Sequence, residues 1–90
     1  MANIQKKKLK YTVKIFITRN QGEKMYKQRK TIRKLLGSEI FKYWLGNGTD
    51  LRTGTFDEIF VDVPQGVVNR IKERKPRYKG LITVKITKQK

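Results

Sequence analysis

The 90-residue chain contains no cysteine and no histidine. The first absence rules out disulfides and thiolate–zinc sites. The second removes the commonest metal ligand and the commonest general base. Together they exclude Ser–His and Cys–His nucleophile pairs. Acids are also scarce: 7 Asp and Glu stand against 23 Lys and Arg, for a net charge of +16. A divalent-ion nuclease site needs converging carboxylates, and the nearest group is Asp57, Glu58 and Asp62. Asp57 and Glu58 fall on opposite faces of one strand, so these acids are expected on a solvated edge or on the side that faces away from the polyanion. Glu73 in "ERK" (73–75) sits beside Pro76 in a segment expected to be a loop. No catalytic residue, metal or cofactor is therefore expected. No apolar run approaches the roughly 18 residues of a membrane span, and "MANIQKKKLK" lacks the apolar stretch of a secretory signal. "GNGTDLRTG" has glycines without the spacing of a phosphate loop.

What is abundant is positive charge. Ninety residues make one thinly cored domain. A charge of +16 destabilises such a domain by self-repulsion unless a polyanion neutralises it. The cations fall in three blocks, Lys6–Lys14, Lys27–Lys34 and Arg70–Lys90, and in the last of these Glu73 alone opposes nine Lys and Arg. Such spread favours nucleic acid over a membrane surface.

Patterning supplies a scaffold. Residues 1–8 read as a disordered basic arm whose Lys6, Lys7 and Lys8 track phosphates, leaving 9–90 as a single α+β RNA-binding domain. In "LKYTVKIFIT" (9–18), Leu9, Tyr11, Val13, Ile15 and Ile17 alternate with Lys10, Thr12, Lys14, Phe16 and Thr18, as in a strand with one buried face. "RNQGEK" (19–24) is a turn. Residues 27–45 read as one helix, kinked at most, burying Ile32, Leu35, Leu36, Ile40 and Tyr43 or Trp44, with Gly37 as its weak point; the alternative is two helices in series, with Ser38 capping a second, "EIFKYWL", that turns Ile40, Phe41, Trp44 and Leu45 inward. A rival reading makes 25–32 the second strand of a hairpin. Three glycines make 46–55 a loop. "FDEIFVDV" (56–63) reads as a strand with Ile59, Val61 and Val63 on one face. Pro64 opens a short helix with Val67, Val68 and Ile71 inward. "RIKERKPRYKG" (70–80) reads as a basic loop with Tyr78 packed inward or stacked on a base, and "LITVKITKQK" as a closing strand. The expected fold is α+β: a small sheet in the order β-α-β-(short α)-β, with helices on one face.

The helix at 27–34 opens with cations, against its own dipole, which makes sense if a phosphate sits there. Arg29, Arg33, Arg70, Arg74 and Arg77 have the fork geometry for bidentate phosphate contacts, and Lys10 lies in the first block. No helix-turn-helix pair and no paired aromatics of a base-stacking sheet stand out. The chain thus reads as a binder of shape and phosphate, which fits structured RNA.

"KYTVKIFITRNQGEKMYKQRKTIRKLL" followed by "IFVDVPQGVVNRIKERKPRYKGLITVKI" resembles the thirty-first large-subunit ribosomal protein family of archaea and eukaryotes, over roughly residues 10–87. The shared order is a "YT-hydrophobic" strand, a basic entry into an arginine-rich helix, a strand ending like "FVDV", a short helix, a basic Pro-containing segment and a basic–aliphatic strand. The chain would be a divergent, shortened member, with "RKTI" (29–32) where "R-A-P-R" is the family's pattern and no Trp in the short helix. The resemblance implies a cytoplasmic structural constituent of the large subunit, bound to ribosomal RNA near the polypeptide exit. Neighbouring ribosomal proteins and nascent-chain factors would be its other partners. It places RNA against Lys27, Arg29, Lys30, Arg33 and Lys34, and against Arg74, Lys75, Arg77 and Lys79. The alternative from composition is a phage or mobile-element protein, either a DNA-binding regulator or an inhibitor seated in the nucleic-acid groove of a nuclease.

Overall fold

In a computed structural model of the chain, the described residues are 9–18, 25–52 and 54–89. The basic arm (1–8) and the turn (19–24) lie outside them. The alternation of residues 9–18 becomes β1 (Lys10–Ile17), with Val13 and Ile15 fully buried and Tyr11 and Ile17 packed at the core margin. "MYKQRKTIRKLL" forms α1 (Met25–Leu36), so the hairpin reading of 25–32 is wrong. Its buried side chains include Gln28, Ile32 and Leu36, spaced by four residues along one stripe.

The expected single helix over 27–45 does not exist. Gly37, at φ +88°, takes the left-handed conformation that ends α1, and its N–H donates to the Arg33 carbonyl at 2.8 Å. A 3₁₀ turn, Glu39–Tyr43, follows and buries Ile40. The chain then enters β2 (Trp44–Asp50), most of which had read as loop. Glycine at 46 and 48 is tolerated because β2 is an edge strand, and at Gly48 a side chain would collide with Ile59: a Cβ there meets Ile59 Cδ1 at 2.7 Å.

β3 (Thr55–Pro64) pairs antiparallel with β2 and β1, and β4 (Ile82–Lys88) pairs antiparallel with β1. The sheet order is β2-β3-β1-β4. The expected facing of β3 needs correction. Val13 lies opposite Phe60 and Tyr11 opposite Val63, so three residue steps on β3 match two on β1. Asp62, at φ +56°, absorbs the extra residue as a bulge. Gln89 holds it there, its Oε1 accepting from the Asp62 N–H at 2.8 Å. The bulge turns Phe60 and Val63, rather than Ile59 and Val61, into the core.

Within 65–78, where 70–78 had been expected as loop, the chain forms two helices, α2 (Gln65–Glu73) and the single turn α3 (Lys75–Tyr78). Pro64 is the N-cap of α2, still extended at ψ 160°, one position before the helical residue that its fixed φ would suit. Val67, Val68, Ile71 and Tyr78 join Ile32, Leu36 and Ile40 against one face of the sheet. The fold is thus α+β with the helices on one sheet face, and with one more strand than the expected order.

Asp57 and Glu58 are not on a solvated edge: both are buried. Glu58 accepts hydrogen bonds from Gln28 Nε2 at 3.0 Å and Trp44 Nε1 at 2.8 Å. Gln28 also donates to the Phe56 carbonyl at 2.7 Å and accepts from the Ile17 N–H at 3.1 Å. One amide side chain therefore ties α1 to β1 and β3, and supplies a donor to a buried carboxylate.

Candidate nucleic-acid interface

The burial stripe of α1 leaves the opposite arc to Lys27, Lys30, Arg33 and Lys34, all exposed. Arg29 and Arg33 flank it on the side of the 3₁₀ turn and β2. The Arg29 guanidinium lies 5.5 Å from the centre of the Trp44 ring, and that of Arg33 lies 4.5 Å from Phe41. Stacking on a ring restrains the arm, while a guanidinium keeps its N–H donors in the plane of the fork, where a phosphate can meet them. The two arginines are thus pre-positioned by aromatics that follow the break after α1, Phe41 of the 3₁₀ turn and Trp44 at the start of β2.

Two expected phosphate ligands have other work. Arg70 forms a two-bond pair with Glu39, Nε to Oε1 at 2.7 Å and Nη2 to Oε2 at 2.5 Å. This hydrogen bonding holds the Glu39 carboxyl below its ordinary 4.5, despite a slight opposing desolvation. Arg74 donates from Nη1 to the Leu36 carbonyl, one of the acceptors left open at the end of α1. Local charge patterning suggested phosphate contacts for both because neither partner is near in sequence.

The Arg74 contact has a consequence for the surface. It fastens the start of α3 to the end of α1, and the two helices touch. Exposed Lys75, Arg77 and Lys79 therefore lie on the same helical layer as Arg33 and Lys34. α1 and α3 contain no acid, and α2 contains only Glu73. Tyr78 points inward and is buried, so it is not a base-stacking residue, and desolvation raises its phenol pKa. Exposed Lys72, which the sequence reading did not single out, lines a groove of about 440 Å³ with Lys75 and Lys79, floored by Ile82 and Val84.

The remaining candidates separate. Lys10 belongs to the strand positions of β1 that face away from the helices, so it is not part of this layer. Lys6, Lys7 and Lys8 lie outside the described residues, as does the chain leading into α1. Among the described residues, no three Asp, Glu, His or Cys side chains gather as a metal site would require, and no helix is long and apolar enough to cross a membrane.

No protein-family model matches the chain, and neither the curated proteins nor the solved structures include one that does. The geometry of the helical layer is therefore the main ground for a functional reading.

Proposed function

We propose that this protein binds structured RNA through the phosphate backbone, using the helical layer formed by α1 and α3. The observation that carries the reading is the Arg74–Leu36 junction. It joins the end of α1, which carries exposed Arg33 and Lys34, to the start of α3, where Lys75, Arg77 and Lys79 are exposed. Cations on fixed elements meet phosphates at fixed spacing and release counterions on binding. α3 spans four residues, too few to lie along a major groove, which favours backbone contacts over base reading for that part of the layer. The activity is binding, without a catalytic step.

The test is a titration of a fluorescent RNA hairpin over a range of salt concentrations. The log–log slope should correspond to on the order of five neutralised phosphates. A slope worth one contact or less overturns the reading. In its narrowest form, carried by the resemblance, the RNA is ribosomal, the site lies near the polypeptide exit of the large subunit, and the protein works in the cytoplasm. Co-sedimentation with large subunits through high salt is expected on that form. Recovery of the protein in a stable complex with a nuclease instead would replace it.

A further inference from the structure

The sheet face away from the helices has its own composition. Strand pairing sets Thr12 opposite Thr87, Lys14 opposite Lys85 and Phe16 opposite Thr83, and all six side chains face away from the core. Like charges directly opposed across a sheet are destabilising, yet among the described residues neither Lys14 nor Lys85 has a carboxylate partner. The Phe16 ring lies between the two strands at the surface, with the Lys85 ammonium 5.7 Å from its centre. Half-buried Ile59 extends the apolar strip beside Lys14. From there a groove of about 500 Å³ continues over β3 to Gly48 and Thr49 of β2. The outer face of an antiparallel sheet is ordinarily plain polar surface. Here an aromatic ring and half-buried Ile59 sit beside two lysines, and Asp57 lines the same groove as Lys14.

We propose that this open sheet face is a second binding site, for single-stranded nucleic acid, with a base stacked on Phe16 and the flanking phosphates held by Lys14 and Lys85. The charge fixes the sign of the ligand, and the ring separates a nucleic acid from other polyanions. A base can use the face of Phe16 only when it is not stacked within a duplex, which selects a single strand. The inference shares with the proposed function only the class of ligand, and it uses the opposite surface.

The experiment compares fluorescence anisotropy of the full chain with a 12-nucleotide uridine strand and with an abasic strand of the same length. Base–aromatic stacking predicts that the base-bearing strand binds about tenfold tighter. Phe16→Ala should abolish that preference and Phe16→Tyr should retain it. Lys14→Ala combined with Lys85→Ala should weaken both strands. Equal binding of the two strands by the wild type overturns the proposal, since the face would then be a diffuse cation surface. So does a preference that survives Phe16→Ala, or failure to bind either strand. An RNA hairpin titrated in parallel, with Lys34→Ala/Arg77→Ala as its own variant, reports on the helical layer separately, so either site can fail alone.

Discussion

Gln28→Leu is the most informative single change in the fold. Leucine is close to glutamine in size and in helix propensity, so the substitution leaves α1 itself almost untouched. What it removes is three hydrogen bonds from a side chain that is 1% exposed: to the Ile17 N–H, the Phe56 carbonyl and the Glu58 carboxylate. Two neutral bonds contribute about 1 kcal/mol each, and the bond to a carboxylate about 1.5–3. Glu58 stays behind, fully buried, with Trp44 as its remaining hydrogen-bond donor. The apolar gain of the leucine offsets part of the loss, leaving a net destabilisation of about 3 kcal/mol. That is a large share of the roughly 5–13 kcal/mol typical of a chain this size. It corresponds to a fall in Tm of about 12–24 °C. Thermal and urea denaturation followed by circular dichroism would measure it, with exposed Lys30→Ala as the control expected within about 0.5 kcal/mol of wild type. Adding Glu58→Leu to Gln28→Leu should recover part of the loss, because an apolar pair replaces an under-satisfied charge. If Gln28→Leu alone matches wild type, the amide is not the tie between helix and sheet, and the account of this core is wrong.

Three further outcomes are expected. Arg74→Ala should lower stability by about 1–2 kcal/mol by stripping the Leu36 carbonyl of its donor, whereas Arg77→Ala should leave Tm unchanged and weaken RNA binding by about 1–3 kcal/mol; the reverse pattern would exchange their roles. Gly37→Ala should cost about 1–2 kcal/mol in a denaturant melt, since φ is +88° and the added Cβ would stand 2.9 Å from Arg74 Nη1; a neutral result would mean that α1 can end in another conformation. The Arg70–Glu39 pair should appear in the acid limb of stability. Its hydrogen bonds depress the folded carboxyl pKa, so the contribution is present above 4.5 and disappears as pH falls through the lower folded value. Tm measured against pH should show a shallower acid limb for Glu39→Gln than for wild type, and identical limbs would leave the pair without a role.

Several parts of this structure were written locally in the chain. The period-two alternation of 9–18 and the apolar steps at Val67, Val68 and Ile71 needed no distant partner to be read, because one buried face imposes its own periodicity. The outward set of β1, with Lys10, Thr12, Lys14 and Phe16, was equally legible. The net charge and the missing histidine and cysteine are properties of composition and need no fold to be read. The exposed cations of α1, and Lys75, Arg77 and Lys79, followed from the same patterning.

Other features depended on residues far apart in sequence, and only the tertiary structure decided them. β2 is rich in glycine and has little strand propensity of its own. It exists because β3 offers a ladder, and because Ile59 needs the space at Gly48. The bulge at Asp62 reversed the facing of β3, since register against β1 overrides local alternation. Glu58 read as a solvated acid until Gln28, 30 positions away on α1, closed over it. Arg70 and Arg74 looked like phosphate ligands until Glu39 and the Leu36 carbonyl came within reach. Lys14 and Lys85 lie 71 positions apart, and only the antiparallel pairing of β1 with β4 sets them side by side next to Phe16. Composition determined the excess of positive charge. Strand register and the contacts of Arg70 and Arg74 determined how that charge is laid out on the surface.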